Sequence, residues 1–114
     1  MTQIKIFENQ EQMTLRLDVE GHAGYAPMGC DVVCASVSIL TQTLGQVAFG
    51  LRELGAEVAY QELEGAVHIM IRTDDTDEGR ELFESASCSL RTVETGYRMI
   101  AMQYPDHVKV TACR

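Results

Sequence analysis

The chain has 114 residues, 46% of them hydrophobic and 23% charged, which predicts one globular domain spanning residues 1–114. Its formal net charge is −8 and it has no run of Lys or Arg, a balance that disfavours direct contact with nucleic acid. No stretch approaches the roughly 18 consecutive apolar residues of a membrane span. The amino-terminal segment MTQIKIFENQ also lacks the layout of a secretory signal, so we expect a cytoplasmic protein without membrane contact.

The first part of the chain alternates apolar and polar residues, which is typical of strands. Ile4 and Ile6 indicate a first strand, and residues 13–20 indicate a second. The polar run 8–12 between them predicts a hairpin. Residues 21–29 contain three glycines and a proline, which break both helical and strand periodicity, so this segment is predicted to be a loop.

After the loop the spacing of apolar residues changes to that of a helix. Apolar side chains recur on one face from residue 33 to residue 51, and Gly55 supplies a stop signal. Two short segments follow, residues 56–63 and 66–71, and the second alternates regularly. They predict another hairpin, turning at residues 64–65.

The last part of the chain predicts a second helix and a final strand. The acidic string at residues 74–78 suits a helix amino terminus, where carboxylates complement the helix dipole. Apolar residues at helical spacing run from 82 to 104, and Pro105 ends the helix. Residues 107–113 alternate again and predict a strand.

The predicted element order is β-β-α-β-β-α-β. Two helices with one apolar stripe each can cover one face of a mostly antiparallel sheet, which gives an α+β two-layer sandwich. The other sheet face would carry polar residues together with Met70 and Tyr60, which are poorly suited to water. Homodimerisation through part of that face, or through a sheet edge, would cover them.

Cys34 is the first candidate for chemistry because of its place at the start of the first helix. If Asp31 is the N-cap, Cys34 is the third residue of the helix. Backbone amides and the positive end of the helix dipole there favour a thiolate over a thiol. The residue types alone also fit a buried structural cysteine.

His22 opens the glycine-rich loop and can fold back over the start of the helix. A Cys and a His within hydrogen-bond reach are the minimum pair for nucleophilic acyl transfer, with Cys34 attacking a carbonyl and His22 moving the proton. The amides of Val33 or Cys34 are candidate donors to the oxyanion. The loop, which we expect to open for an extended peptide, contributes Gly24, Tyr25, Met28 and Gly29 as substrate-loop residues.

Two other classes of function remain open from the residues. The soft side chains of His22, Cys30 and Cys34, with Cys113 or His107, could hold zinc, although they lack the paired spacing of structural zinc modules. A non-catalytic module that binds a peptide or a ribosomal protein in the same loop is the other alternative.

One segment carries a family resemblance. The stretch Gly21-His22-Ala23, then Gly29, then residues 31–38 with the sequence DVVCASVS resembles the signature of the ribosomal-processing cysteine protease (Prp) family. The resemblance implies a small α/β homodimer without a cofactor. It also implies removal of a hydrophobic amino-terminal extension from the precursor of the bacterial large-subunit ribosomal protein twenty-seven, a basic partner suited to an acidic enzyme.

The resemblance also assigns roles to residues. The family's histidine falls on His22 and its nucleophile on Cys34, with supporting positions at Asp31 and Ser38. Asp31 would cap the helix or orient His22, and Ser38 would bond the thiolate or the carbonyl of Cys34. The chain departs from the usual pattern at Cys30, an extra thiol, and at Ser36, where alanine is commoner.

Overall fold

The computed structural model of the protein describes residues 1–27 and 29–114. In chain order its elements are β1 Thr2–Asn9, β2 Thr14–Glu20, α1 Val32–Glu53, β3 Glu57–Leu63, β4 Ala66–Arg72, α2 Asp77–Gln103 and β5 Val108–Cys113. The predicted α+β class and the predicted order of elements are confirmed.

The strands of the described residues form one five-stranded sheet in the order β3-β4-β2-β1-β5. The pairs β1–β2, β2–β4 and β3–β4 are antiparallel, and β5 runs parallel to β1. β3 and β5 are therefore the sheet edges. The two strands of each hairpin pair with each other, whereas the parallel pairing of β5 with β1 joins the two ends of the chain.

Both helices cover the same face of the sheet. From the strands, Ile4, Ile6, Leu17 and Ile69 point into this layer and are almost completely buried. α1 and α2 meet them with apolar stripes at the predicted spacing: Val33, Val37, Leu44, Ala48 and Leu51 from α1, and Phe83, Ala86, Leu90, Val93 and Tyr97 from α2. Each fully buried Leu, Ile or Phe contributes about 1.5–3 kcal/mol, so this layer is the main source of stability.

Tyr60 does not lie on the uncovered face, as the sequence had suggested. Its register partner is Ile69, which is buried under the helices, so both side chains point to the covered face. The ring packs against Phe49 with centroids 5.4 Å apart. It also lies so close to Gly45 that a Cβ there would be 2.9 Å from the ring. Val58 and Tyr60 are the two half-buried residues of β3 and the rest of the strand is exposed, so its alternation places Tyr60 inward.

The uncovered face carries an ionic network rather than an apolar patch at its centre. The carboxylate of Asp18 lies 2.6 Å from Nδ1 of His68 and 3.0 Å from the guanidinium of Arg16. Met70 is half-buried beside them, opposite Arg16 in the strand register. The pair with Arg16 runs along β2, whereas the contact with His68 joins β2 to β4. The homodimer stays a prediction.

α1 is long and apolar enough by composition to cross a membrane, with a mean hydropathy of 1.5 in its most apolar window. A third of that window, 33%, is buried within the domain. The core helix of a folded domain has the same composition, so hydropathy alone does not place α1 in a membrane.

The loop of residues 21–31 is fixed at its start and faces the end of α2. Gly21 donates its N–H to the carbonyl of Gly65 at 2.8 Å, in the turn between β3 and β4. At the other side, the carbonyl of Tyr104 accepts the N–H groups of His107 and Val108, which turns the chain from α2 into β5. The start of α1 therefore lies near segments from both halves of the sequence.

Candidate active site

Cys34 is the third residue of α1, as predicted. Asp31 caps the helix in an extended conformation, and its Oδ1 accepts the N–H groups of Val33 at 2.9 Å and of Cys34 at 3.0 Å. The thiol is half-buried at the positive end of a 22-residue helix. Reactive cysteines are commonly found at helix amino termini, so Cys34 stays the candidate nucleophile.

Asp31 also fastens the loop to the helix. Its second oxygen, Oδ2, accepts the N–H groups of Tyr25 at 3.0 Å and of Ala26 at 3.3 Å. Hydrogen bonds from Cys34, Ala26, Tyr25 and Val33 together hold the pKa of Asp31 below its ordinary value. Among the described residues, every hydrogen bond of this carboxylate goes to backbone and none to His22, so Asp31 fills its capping role.

The predicted oxyanion donors are paired within the helix cap, and their role stays a prediction. The amides of Val33 and Cys34 were the candidates, yet both already donate to Oδ1 of the Asp31 cap. A substrate oxygen would have to displace a carboxylate from them. A short Asp side chain at the N-cap naturally binds the second and third amides of its helix, so the cap and the oxyanion role compete for the same groups.

The sulfur of Cys34 has a hydrogen-bond donor from the loop. The backbone N–H of Ala23 points to Sγ at a distance of 3.3 Å. Ala23 itself is almost completely buried, with an exposed fraction of 1%. The contact gives the sulfur a backbone hydrogen-bond donor and holds the loop against the start of α1.

His22, Cys34 and Ser38 line one open cavity of about 220 Å³. His22 is exposed, and its Nε2 lies over Gly65, 3.4 Å from where a Cβ would be. In the part of the chain that the structure describes, no hydrogen bond joins the His22 ring to Cys34. The two predicted residues thus face one cavity without a hydrogen bond between them, and their pairing stays a prediction.

Ser38 follows Cys34 by one helical turn on the same face. Within residues 1–27 and 29–114, its hydroxyl makes neither the predicted bond to the sulfur nor the bond to the carbonyl of Cys34. Ser36 makes the corresponding backbone bond instead, donating to the carbonyl of Val32 at 2.7 Å. The exposed Ser38 hydroxyl is therefore free to meet a ligand in the cavity.

Of the predicted substrate-loop residues, none of the three that the structure describes, Gly24, Tyr25 and Gly29, lines the cavity at Cys34. Gly24 and Gly29 have positive φ angles, 67° and 88°, which only glycine adopts readily. The ring of Tyr25 packs edge-on against Tyr104 and His107, with centroids 5.2 and 5.5 Å away, rather than lining the cavity at Cys34. The fourth residue of this set, Met28, lies outside the described residues.

His107, which the sequence offered only as a possible zinc ligand, lies next to the site. Its Nδ1 lies 2.8 Å from the carbonyl oxygen of Ala23, the residue whose N–H contacts Cys34. The sequence separation is 84 residues, and the contact depends on β5 pairing with β1. The proximity of His107 to the start of the last strand was the only available signal.

Two alternative sites lack the chemistry of the Cys34 cavity. A larger open cavity of about 730 Å³ lies beside the end of β1, the turn into β2 and the end of β5. Its wall contains charged residues, including Glu8 and Arg91. It contains neither His22 nor Cys34. For zinc, no group of three His, Cys, Asp or Glu side chains suited to a metal occurs within residues 1–27 and 29–114.

Comparison with known proteins gives a family for the whole domain. The family model described as cysteine protease Prp matches residues 1–109. The chain is 27% identical over 97 residues to the ribosomal processing cysteine protease Prp of Staphylococcus aureus, covering 85% of this chain and 92% of that protein.

Solved structures share the fold. The crystal structure of the S. aureus protease Prp with a covalently linked product peptide has a TM-score of 0.69 and 22% identity, covering 99% of this chain and 100% of that one. Its complex with a substrate peptide has the same TM-score and coverage, at 21% identity. The structure of SMU.848 from Streptococcus mutans gives a TM-score of 0.66 and 22% identity, covering 98% of this chain and 93% of that one.

Proposed function

The chain belongs to the cysteine protease Prp family and is a cysteine protease, and from this premise we propose that it cleaves the amino-terminal extension from the precursor of large-subunit ribosomal protein twenty-seven. One observation carries the assignment of its site. Cys34 lies at the start of α1 with the Ala23 amide on its sulfur, and it shares a cavity with His22. The relatives named for ribosomal processing support the substrate class.

The proposed reaction uses Cys34 as nucleophile and His22 as proton carrier. The sulfur attacks the scissile carbonyl carbon while His22 takes the thiol proton. The carbon–nitrogen bond then breaks, and His22 gives that proton to the leaving amine. Water next attacks the thioester while His22 takes a proton from it, the carbon–sulfur bond breaks, and His22 returns that proton to the sulfur of Cys34. The products are a carboxylate on the removed extension and a new amino terminus on the ribosomal protein.

The size of the cavity suggests how a peptide is admitted. At about 220 Å³ it is smaller than the roughly 300–1,000 Å³ of typical ligand pockets. Only part of an extended peptide fits, so we expect the loop of residues 21–31 to shift when substrate binds. The positive φ angles of Gly24 and Gly29 place glycines at two points where the backbone can rotate.

Charge supports a basic partner. The protein carries a formal net charge of −8, and the exposed Glu62 lies in the wall of the Cys34 cavity. Ribosomal proteins are basic, and opposite charge accelerates encounter at low ionic strength. We further propose that the protein acts in the cytoplasm, where such precursors are made, and that it forms a homodimer. Light scattering on the purified chain tests the dimer.

The experiment that tests the function is cleavage of a peptide spanning the extended amino terminus of the ribosomal protein. Mass spectrometry follows the wild type beside Cys34→Ala and His22→Ala, with Cys88→Ala as the matched control because Cys88 is an exposed thiol on α2. We expect cleavage of one bond by the wild type and the control, and by neither site variant. Tight binding of the peptide without cleavage by the wild type would instead indicate the non-catalytic binding module.

A further inference from the structure

Ala23 is held on both sides by groups that belong to different parts of the fold. Its N–H donates to Sγ of Cys34 at 3.3 Å, and its carbonyl oxygen lies 2.8 Å from Nδ1 of His107. The residue is buried, so neither backbone group can exchange its partner for water without moving the loop. The position of the amide that contacts the sulfur thus depends on His107.

The contact fixes the proton on the His107 ring. A carbonyl oxygen can only accept a hydrogen bond, so Nδ1 must carry the hydrogen. In the neutral side chain this leaves Nε2 without a proton. In the imidazolium form Nδ1 still donates, so the contact with Ala23 is kept in both protonation states.

His107 is itself rigidly placed. The backbone N–H of His107 donates to the carbonyl of Tyr104 at 3.0 Å, and the backbone carbonyl of His107 accepts the N–H of Thr2 at 2.9 Å. The ring packs edge-on against Tyr25 from the loop, with an interplanar angle of 88°. Because the backbone of His107 is anchored to the end of α2 and to β1, its side chain is a suitable support for a glycine-rich loop.

We propose that His107 is a positioning residue for the nucleophile, which holds the Ala23 amide against the sulfur of Cys34 through the Ala23 carbonyl. The proposal rests on the proposed function only in taking Cys34 as the nucleophile. His107 does not touch the sulfur or exchange protons with it. It acts by keeping a hydrogen-bond donor at the thiolate, which an unsupported loop would not do.

Other titratable groups lie around the sulfur and set the background for any pH measurement. His22 comes from the loop, Glu62 from β3, and Asp31 from the helix cap. Next to the His107 ring is Tyr25, which in turn packs against Tyr104, and Asp106 precedes His107 in the chain. None of these is changed by a substitution at His107, so they remain constant across the variants.

The test compares His107→Phe with His107→Asn. Phenylalanine keeps an aromatic ring for Tyr25 but removes the donor. Asparagine keeps a donor, because its side-chain nitrogen is attached to Cγ as Nδ1 is in histidine. The rate of alkylation of Cys34 by iodoacetamide is measured from pH 5 to pH 9 by peptide-resolved mass spectrometry. Exposed Cys88 on α2 serves as the reference thiol in the same molecules.

We expect His107→Phe to reduce alkylation of Cys34 at neutral pH about tenfold relative to Cys88 and to move its pH profile upward, since one charge-assisted hydrogen bond is weakened. His107→Asn should stay within about twofold of the wild type. On the peptide substrate, kcat should fall in His107→Phe with KM nearly unchanged. Thermal unfolding of each variant confirms that the fold is kept.

The outcomes separate this proposal from the proposed function. If wild-type Cys34 reacts no faster than Cys88, the assignment of Cys34 as nucleophile fails. If Cys34 is preferentially alkylated and His107→Phe has the same pH profile as the wild type, the positioning role of His107 is wrong while the nucleophile stands. An equal decrease in the alkylation rate of Cys34 in His107→Phe and His107→Asn would also overturn the positioning role of His107. The hydrogen-bond donor at this position would then not matter.

Discussion

The carboxylate of Asp31 joins the backbone of Cys34 to the loop above it. Oδ1 accepts the N–H of Cys34 at 3.0 Å, and Oδ2 accepts the N–H of Tyr25 at the same distance. One side chain therefore sets both the start of α1 and the position of the segment that carries His22. The structural and functional roles of this carboxylate can be separated by substitution. A smaller side chain at residue 31 can still cap α1 but cannot reach the loop.

We expect Asp31→Ser and Asp31→Ala to differ in stability but not in activity. A serine hydroxyl still accepts a helix amide, so Asp31→Ser should keep most of the stability, whereas Asp31→Ala should lower Tm by about a further 5 °C. Both variants lose the Oδ2 contacts with Tyr25 and Ala26. Peptide cleavage should fall at least tenfold in both. Full cleavage by Asp31→Ser would show that the loop needs no anchor at this residue.

A second carboxylate cluster lies away from the active site and governs stability in acid. Arg114 pairs with Glu8 at 3.2 Å and also with Glu94, and both carboxylates are buried. Burial alone would raise the pKa of Glu8, but hydrogen bonds from Ser87, Arg91 and Arg114 outweigh it and leave the pKa below 4.5. The same balance, with Arg114 and Arg98 as donors, lowers the pKa of Glu94.

The lowered pKa values of Glu8 and Glu94 fix the sign of the pH dependence of stability. A carboxylate that binds its proton less readily when folded stabilises the protein above its ordinary pKa of 4.5, and this contribution is lost as the pH falls through the lower folded value. We expect Arg114→Gln to lower Tm at pH 7 by about 5 °C and to flatten the fall in stability below pH 4.5. Urea unfolding at several pH values measures both. Arg80→Gln is the control, since Arg80 pairs only with exposed Asp75 and Asp77 among the described residues, and an equal effect there would contradict the role of Arg114.

Local features of the fold could be predicted from the sequence, and the contact at the nucleophile could not. The N-cap at Asp31 and the buried stripe of α1 depend on residues within a few turns of one another, so spacing was sufficient. The contact of His107 with Ala23 spans 84 residues and requires the parallel pairing of β5 with β1. No local pattern records that pairing, because alternation shows that a strand exists but not which strand it joins.

The oxyanion role stays a prediction, and the structure shows which group competes with it. The amides of Val33 and Cys34 were correctly placed at a helix start, but the same Asp that marks that start in the sequence occupies them. A helix N-terminus offers free donors only when its cap leaves them unpaired. The sequence signal for the helix start is thus also a signal against the anion site.

A buried pair of hydroxyls between the helices gives a test of hydrogen-bond direction. Thr41 on α1 donates to the carbonyl of Val37 at 2.8 Å, which uses its one proton. The hydroxyl of Tyr97 on α2 must then be the donor in its 2.6 Å contact with Thr41. Burial raises the pKa of Tyr97 far above its ordinary value, although the bond to Thr41 opposes this, so the hydroxyl keeps its proton at any ordinary pH.

The direction of the hydrogen bond from Tyr97 to Thr41 predicts that two substitutions lower the free energy of unfolding by unequal amounts. Thr41→Val leaves the Tyr97 donor buried without a partner and should cost about 1–3 kcal/mol. Tyr97→Phe leaves Thr41 still bonded to Val37, so it should cost about 0.5–1.5 kcal/mol. Denaturant unfolding of the two variants and the double variant gives the comparison. A larger cost for Tyr97→Phe than for Thr41→Val would mean that the donor has been assigned to the wrong residue.

Gly21 is the point where the active-site loop leaves β2, and it tolerates no side chain. Its φ angle is 91°, and a Cβ would collide with the carbonyl oxygen of Met1. Gly50 is the matched control, because it lies in α1 with nothing within 4 Å of a Cβ. We expect Gly21→Ala to destabilise the protein by at least about 1–3 kcal/mol, since both the strained φ and the collision oppose folding.

Gly50→Ala should instead stabilise it by about 0.5–1 kcal/mol, because alanine lowers the conformational entropy of the unfolded chain and favours helix. Because Gly21 also donates to Gly65 beside His22, Gly21→Ala should reduce peptide cleavage even at temperatures where it is fully folded. Gly50→Ala should leave cleavage unchanged. If the folded Gly21→Ala variant cleaves the peptide at the wild-type rate, His22 does not depend on this anchor, and the geometry of the loop start is not part of the active site.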